Sequence, residues 1–278
     1  LGAASTQVHP YILSEPTALA TLDALRAGRR LLRRELPVDL EAKAGVQLLG
    51  GSQGGHAVLN TALYGPYYAP EEEIIAVAAS VPPSDVRGQG IQMVSRWRKG
   101  SSNFAAVAAA AAEWYDLDLS LALAPPHDTQ VPLLMESQCT PRDLVPDATS
   151  VEGLYTESFR SLAASGFTGD DRWSCALREN SLPTQSVAPL AFPPTLIVLS
   201  EADDLVDTPT ERDAFDTLCG LGYRLQYLEC AGAGHTDAAL GSFGEQLDFL
   251  EARAAGDPWP EADQCQRTAP VTCSGTEP

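Results

Sequence analysis

Lysine is nearly missing from this chain of 278 residues, with only Lys43 and Lys99 beside sixteen arginines and thirty-seven acidic residues. The resulting net charge of −19 repels phosphate. It argues against nucleic acid and against anionic membrane surfaces as partners. No run of eighteen apolar residues occurs, so no transmembrane span is expected. The alanine-rich stretch 105–112 is too short for that role. Also lacking is any Cys-x-x-Cys pair: Cys139, Cys175, Cys219, Cys230, Cys265 and Cys273 are scattered. A zinc site is therefore not indicated, and no metal or cofactor is expected. An even number of dispersed cysteines in a chain of this size predicts three disulfides and an exported, secreted or periplasmic protein. The chain starts at Leu1, without methionine and without a signal peptide, so a processed or cut form is expected.

What is present is a pattern of short buried strands between helices. Ser14-Glu15-Pro16 reads as a helix start, with Leu19, Leu22, Leu25 and Leu32 on one side. Arg29, Arg30, Arg33 and Arg34 lie toward its C-terminal end, where they complement the helix dipole as a solvated face, and Leu36-Pro37 ends it. Apolar strands follow at 46–50, 74–80, 194–200 and 223–228, with helices over 55–63 and 210–220. That alternation predicts a mostly parallel sheet covered by helices on both faces. The region 86–191 is alanine-rich and helical, with proline loops and no convincing strand pair. It reads as a helical cap inserted into a core formed by 1–85 and 192–256. Trp97, Phe104, Trp114, Tyr115 and Leu133-Leu134-Met135 are its candidates for an acyl-binding surface, or else plain core. The tail 257–278 reads as irregular and stapled by cysteines.

Gly50-Gly51-Ser52-Gln53-Gly54 has Gly-x-Ser-x-Gly spacing just after an apolar strand. A serine at a tight strand-to-helix turn sits in a strained backbone, and Cβ atoms two positions before and after it are expected to collide. The hydroxyl then stands clear of the sheet as a nucleophile. The backbone N–H of Gln53, at the start of the next helix, faces the same space as an oxyanion donor. Serine needs a base, and the base an orienting acid. Both are expected after later strands, in the order Ser, Asp, His. Strand 194–200 runs into Glu201-Ala202-Asp203-Asp204, and strand 223–228 into a small-residue loop ending at His235. Ser52, Asp203 and His235 thus all fall at C-terminal strand ends. Asp204 and Asp207 compete with Asp203, and Asp237 lies too near His235 in sequence to be preferred. His9, His56 and His127 read as structural.

These residues resemble the secretory lipase family (yeast lipase A-like) of the α/β-hydrolase superfamily. The resemblance is carried by residues 51–57, Tyr68-Ala69-Pro70-Glu71, residues 79–85, Asp203-x-x-Val206, Gly234-His235, and Phe249-Leu250-x-x-Arg253-x-x-Gly256 with Cys265 beyond. It spans 1–85 and 192–265 and is weak over the cap. It implies an α/β-hydrolase fold and carboxylic-ester hydrolysis (lipase or esterase) through an acyl-enzyme. Ser52 would be the nucleophile, His235 the base and then the acid, and Asp203 the orienter, acting on a small-molecule or lipid ester. The resemblance also implies a Cys219–Cys265 disulfide, which leaves Cys139–Cys175 and Cys230–Cys273 as the simplest remaining pairs. In such a fold several strands and the second oxyanion donor precede the serine. N-terminal strands are therefore expected to be missing from this chain, in a lost or separately associated fragment. Two rival readings remain at this point. One is an acyltransferase, or an amide or polyester hydrolase, on the same triad. The other is a non-catalytic binding protein that keeps a hydrolase shell.

Overall fold

The computed structural model of the chain describes residues 8–35, 45–138, 144–259 and 264–275. It divides into two compact units. One comprises Ser14–Pro82, Val187–Glu201 and Phe215–Pro278, and the other Leu1–Leu13, Pro83–Ser186 and Ala202–Ala214.

The first unit is built on a five-stranded parallel sheet in the order β1-β2-β3-β4-β5. Helix α1 (Ser14–Glu35) precedes β1 (Val46–Gly51), which runs through the serine turn into α2 (Gln53–Tyr68) and β2 (Ile74–Ser80). The expected end of α1 at Leu36-Pro37 lies outside the described residues. On α1, Leu22 is fully buried, but Leu32 is 44% exposed, so the expected leucine face does not extend to the helix end. Arg29 is not merely solvated, since its Nε donates to the buried carboxylate of Glu72 at 2.6 Å. Arg26 likewise pairs with Glu71 at 2.6 Å.

The second unit begins with helices α3 (Val86–Ser95), α4 (Lys99–Tyr115), α5 (His127–Met135), α6 (Val151–Leu154), α7 (Glu157–Ala164) and α8 (Arg172–Glu179). Among the described residues it holds no strand, only a single antiparallel bridge between Leu123 and Tyr155. Its core is the alanine face of α4 packed around aromatic rings. Phe159 lies at the centre of these rings, with centroids 5.2 Å from Trp173 and 5.3 Å from Phe167. Small side chains let helices approach closely, and the rings fill the remaining volume. Phe104 belongs to this core, whereas Trp114 and Leu133 are exposed at 46% and 65%.

The chain then returns to the sheet through β3 (Thr195–Ser200), buried along its whole length. Helix α9 (Thr208–Gly220), β4 (Leu225–Cys230), α10 (His235–Gly241) and α11 (Phe243–Ala254) follow. The tail is not wholly irregular, because Cys265–Arg267 adds β5 alongside β4. Two disulfides hold it there, Cys219–Cys265 and Cys230–Cys273. The third expected bridge is not made at Cys175, which carries a free thiol on α8 with the guanidinium of Arg178 3.2 Å from its sulfur. Cys139, its expected partner, lies outside the described residues. Among the described residues no helix is long and apolar enough to cross a membrane.

Candidate active site

Ser52 sits between β1 and α2 with φ 54° and ψ −118°. A positive φ on a residue with a side chain costs about 1–3 kcal/mol and persists only where neighbours enforce it. Here the enforcement is visible. The Ser52 N–H donates to the Ser80 carbonyl at the end of β2 (2.8 Å), and the His56 N–H donates back to the Ser52 carbonyl (3.1 Å). Val81, directly after β2, is also at positive φ (43°) and donates its N–H to Val198 on β3 at 2.7 Å. Two strained residues therefore stand side by side at the C-terminal ends of β1 and β2. Nothing in the residue order marks the second, because a β-branched residue is a poor occupant of that region.

The glycines act differently from the expectation. A Cβ on Gly50 would fall 2.2 Å from the Gly54 carbonyl oxygen, so glycine is required there. A Cβ on Gly54 would meet nothing within 4 Å. The crowded position after the serine is Gly55, where a Cβ would lie 3.0 Å from Pro82 and 3.1 Å from the Ser80 carbonyl. The helix turns outward at Gly54 and packs onto the end of β2 one residue later.

His235 is the first residue of α10 and is buried. Its Nε2 lies 2.9 Å from Ser52 Oγ across 183 residues of sequence. The loop that delivers it is tied down on both sides. Ser200 Oγ donates to the Ala233 carbonyl (2.6 Å), and the Gly232 N–H donates to the Glu201 carboxylate (2.7 Å). The Cys230–Cys273 bridge anchors its first residue. Sequence reasoning missed Ser200 and Glu201, although polar residues ending a buried strand are a usable signal. Gln53 is the first residue of α2, which puts its backbone N–H at the positive end of the helix.

Asp203 is half-buried in the turn after β3, and its Oδ1 accepts the N–H groups of Leu205 (2.8 Å) and Val206 (2.9 Å). The competing acids have other occupations. Asp204 is exposed and pairs with Lys99 at 2.8 Å. Asp207 is ion-paired with Arg98 and caps α9 by accepting from the Thr210 N–H (3.2 Å) and hydroxyl (2.9 Å). Asp237 is exposed in the first turn of α10. Among the other histidines, His56 is buried against Asn60, whose Nδ2 lies 3.2 Å from its Nε2. His127 is buried at the start of α5, and His9 is half-buried ahead of α1. A serine hydroxyl within hydrogen-bond reach of an imidazole, above a helix N-terminus, can pass its proton to that ring as it attacks a carbonyl.

A family model described as secretory lipase matches residues 9–262. A search of curated proteins finds no significant match. Among solved structures, Candida antarctica lipase A aligns over 96% of this chain and 60% of its own length, at 16% identity and a TM-score of 0.73. The rice cell wall degrading esterase LipA of Xanthomonas oryzae aligns over 89% of this chain and 65% of its own, at 22% identity and a TM-score of 0.66. A Legionella pneumophila protein aligns over 91% and 67%, at 19% identity and a TM-score of 0.74. The chain thus spans about three-fifths to two-thirds of the length of these structures. At such identities the likeness is one of architecture: the parallel sheet and its helices form an α/β-hydrolase fold.

Proposed function

The chain belongs to the secretory lipase family, and from that membership we propose that it is an exported serine carboxylic-ester hydrolase acting through an acyl-enzyme on Ser52. The observation that carries the proposal is the 2.9 Å approach of His235 Nε2 to Ser52 Oγ, at a serine held at positive φ. In this mechanism the imidazole takes the hydroxyl proton while Oγ bonds to the ester carbonyl carbon. The carbonyl oxygen, now negative, is received by the Gln53 N–H at the N-terminus of α2. His235 then returns the proton to the departing alcohol, leaving the acyl group on Ser52. A water enters, gives a proton to the same ring and attacks the acyl carbon, and as the bond to Oγ breaks the ring returns that proton to Oγ, so the acid leaves and Ser52 is restored. Asp203 is the proposed orienting carboxylate, supported by its place after β3 and by the separate commitments of Asp204 and Asp207. Two disulfides and the family's description support export to an oxidising compartment, outside the cell or in a periplasm. The helical unit following β2 is proposed as the cap that selects the acyl group.

The test is hydrolysis of p-nitrophenyl esters of increasing acyl length by the native protein and by Ser52→Ala. We expect ester cleavage that the substitution lowers by several orders of magnitude, together with a fluorophosphonate adduct on Ser52 in the native protein only. A folded protein that neither labels at Ser52 nor cleaves any ester would favour a binding role. Acyl products formed with a competing alcohol instead of water would mark an acyltransferase.

A further inference from the structure

Gln89 on α3 is 4% exposed and binds the main chain at Asp207 with both ends of its amide. Its Oε1 accepts the Asp207 N–H (2.7 Å), and its Nε2 donates to the Asp207 carbonyl (3.2 Å). The same Nε2 donates to Glu211 Oε1 at 2.8 Å. The two main-chain bonds fix which way the amide faces, because a flipped amide would set donor against donor and acceptor against acceptor at Asp207. Glu211 is itself 2% exposed and is anchored by the Ser84 N–H (2.9 Å), the Ser84 hydroxyl and the Asp85 N–H (3.4 Å). Arg98 closes the far side by pairing with the Asp207 carboxylate. The main chain is also tightly approached at Leu205, where a Cβ on Gly100 would fall 2.5 Å from the carbonyl oxygen.

These bonds fix more than a helix start. Asp203 Oδ1 takes its orientation from the N–H groups of Leu205 and Val206, the two residues just before the clamped Asp207. The Asp203 side chain is therefore only as well placed as this short stretch of main chain. We propose that Gln89, locked by Glu211, is the positioning residue for Asp203, holding the 203–207 segment so that its carboxylate keeps the orientation catalysis needs. The inference rests on the reading of Asp203 as the orienting acid.

A purely structural brace and a positioning residue differ in what they move. Loss of the orienting acid slows the chemical step and leaves substrate binding intact. For Gln89→Leu, a near-isostere without the three bonds, we expect kcat to fall at least tenfold with KM within about twofold. We further expect no additional loss when it is combined with Asp203→Ala, because the segment then has no carboxylate left to place. Should Gln89→Leu not fold, Gln89→Glu serves instead, since its new carboxyl reproduces the donor only when protonated. Its kcat relative to the native protein at each pH is then expected to fall as pH rises. The inference is overturned if folded Gln89→Leu keeps kcat within twofold of native. Multiplication of its loss with that of Asp203→Ala, or a pH-independent ratio for Gln89→Glu, overturns it equally. Native activity in Asp203→Ala would instead remove the assignment of the acid, a separate failure.

Discussion

The imidazole of His235 reaches Ser52 from the far end of the chain, Nε2 to Oγ at 2.9 Å, and does so from a loop fastened by Ser200, Glu201 and a disulfide. In the proposed mechanism nucleophile and base act as one unit, so their losses are not expected to add. Ser52→Ala, His235→Ala and the double variant should each lower kcat by about 10⁶-fold, to a common residual. Single-turnover kinetics with an activated ester measures this. A double variant far slower than either single one would show that the two side chains act separately.

The three aspartates between β3 and α9 have separable jobs, and alanine substitution reads them apart. Asp203→Ala is expected to cost about 10⁴-fold in kcat. Asp204→Ala removes only an exposed pair with Lys99 and should stay within twofold of native in both kcat and stability. Asp207→Ala strips the cap of α9 and leaves Arg98 without its ion pair, so it should lower stability by roughly 1–2 kcal/mol. Kinetics paired with urea unfolding on the three variants gives the answer.

Much of this arrangement is legible in the residue order, and the parts that are not have a physical reason. Strand 74–80 is read to the residue because it is a buried apolar run, and β1 to within one although one of its faces is exposed, with Leu49 at 43%, whereas β4 lies two residues further on than 223–228. Ser52 and His235 follow from where such runs stop. β5 does not, because a strand of three residues is too short to show a periodicity and is marked in the fold only by its pairing with β4 beside two disulfides. Gln89 and Glu211 are equally silent. A buried polar residue shows itself by its partners, and these partners lie about 120 residues away. The expected Cys139–Cys175 bridge is only what remains after the Cys219–Cys265 pair that the resemblance implies, and such a remainder carries no information about distance.

The serine turn makes an unequal demand on its glycines. Gly50→Ala puts a Cβ 2.2 Å from a backbone oxygen, and Gly55→Ala puts one about 3 Å from Pro82 and Ser80. Gly50→Ala must displace main chain beside Ser52, so stability and kcat should both fall, while Gly55→Ala asks Pro82 and Ser80 to give by only a few tenths of an ångström and should cost less. Gly54→Ala meets open space inside a helix, where alanine is favoured over glycine by about 1 kcal/mol. It should leave the fold no less stable and the ester rate within a few-fold. Thermal unfolding and ester hydrolysis of the three variants test the order. A Gly54→Ala variant as damaged as Gly50→Ala would contradict the turn geometry.

The two disulfides close loops of 46 and 43 residues, each worth about 4 kcal/mol in the chain-entropy account. Cys230–Cys273 ends at the loop that carries His235, whereas Cys219–Cys265 ties α9 to the tail strand. Replacing Cys230 and Cys273 by serine should therefore lower kcat as well as Tm. Replacing Cys219 and Cys265 should lower Tm with kcat nearly kept. Equal effects on kcat from the two pairs would count against a role for the first bridge in holding the histidine.

Glu211 supplies a pH dependence with a definite sign. Burial, with the neighbouring Asp85 charge adding to it, pushes its carboxyl up to about 7 from an ordinary 4.5, against the lowering effect of its bonds to Ser84 and Gln89. The folded protein therefore keeps a proton that the unfolded chain releases. The stability this confers is complete below about pH 4.5 and is lost as pH rises to about 7, a change of about 3 kcal/mol. Glu211→Gln is neutral at every pH and should lack this component. Urea unfolding of both proteins at pH 5 and pH 8 isolates it, because any pH-independent cost of the substitution cancels in the difference. The native protein should lose about 2 to 3 kcal/mol more than the variant between the two pH values, slightly less than the full change because the unfolded carboxyl is already mostly ionised at pH 5. Equal losses would mean that the carboxylate is charged in its buried cradle throughout the range, with Ser84 and Gln89 outweighing desolvation.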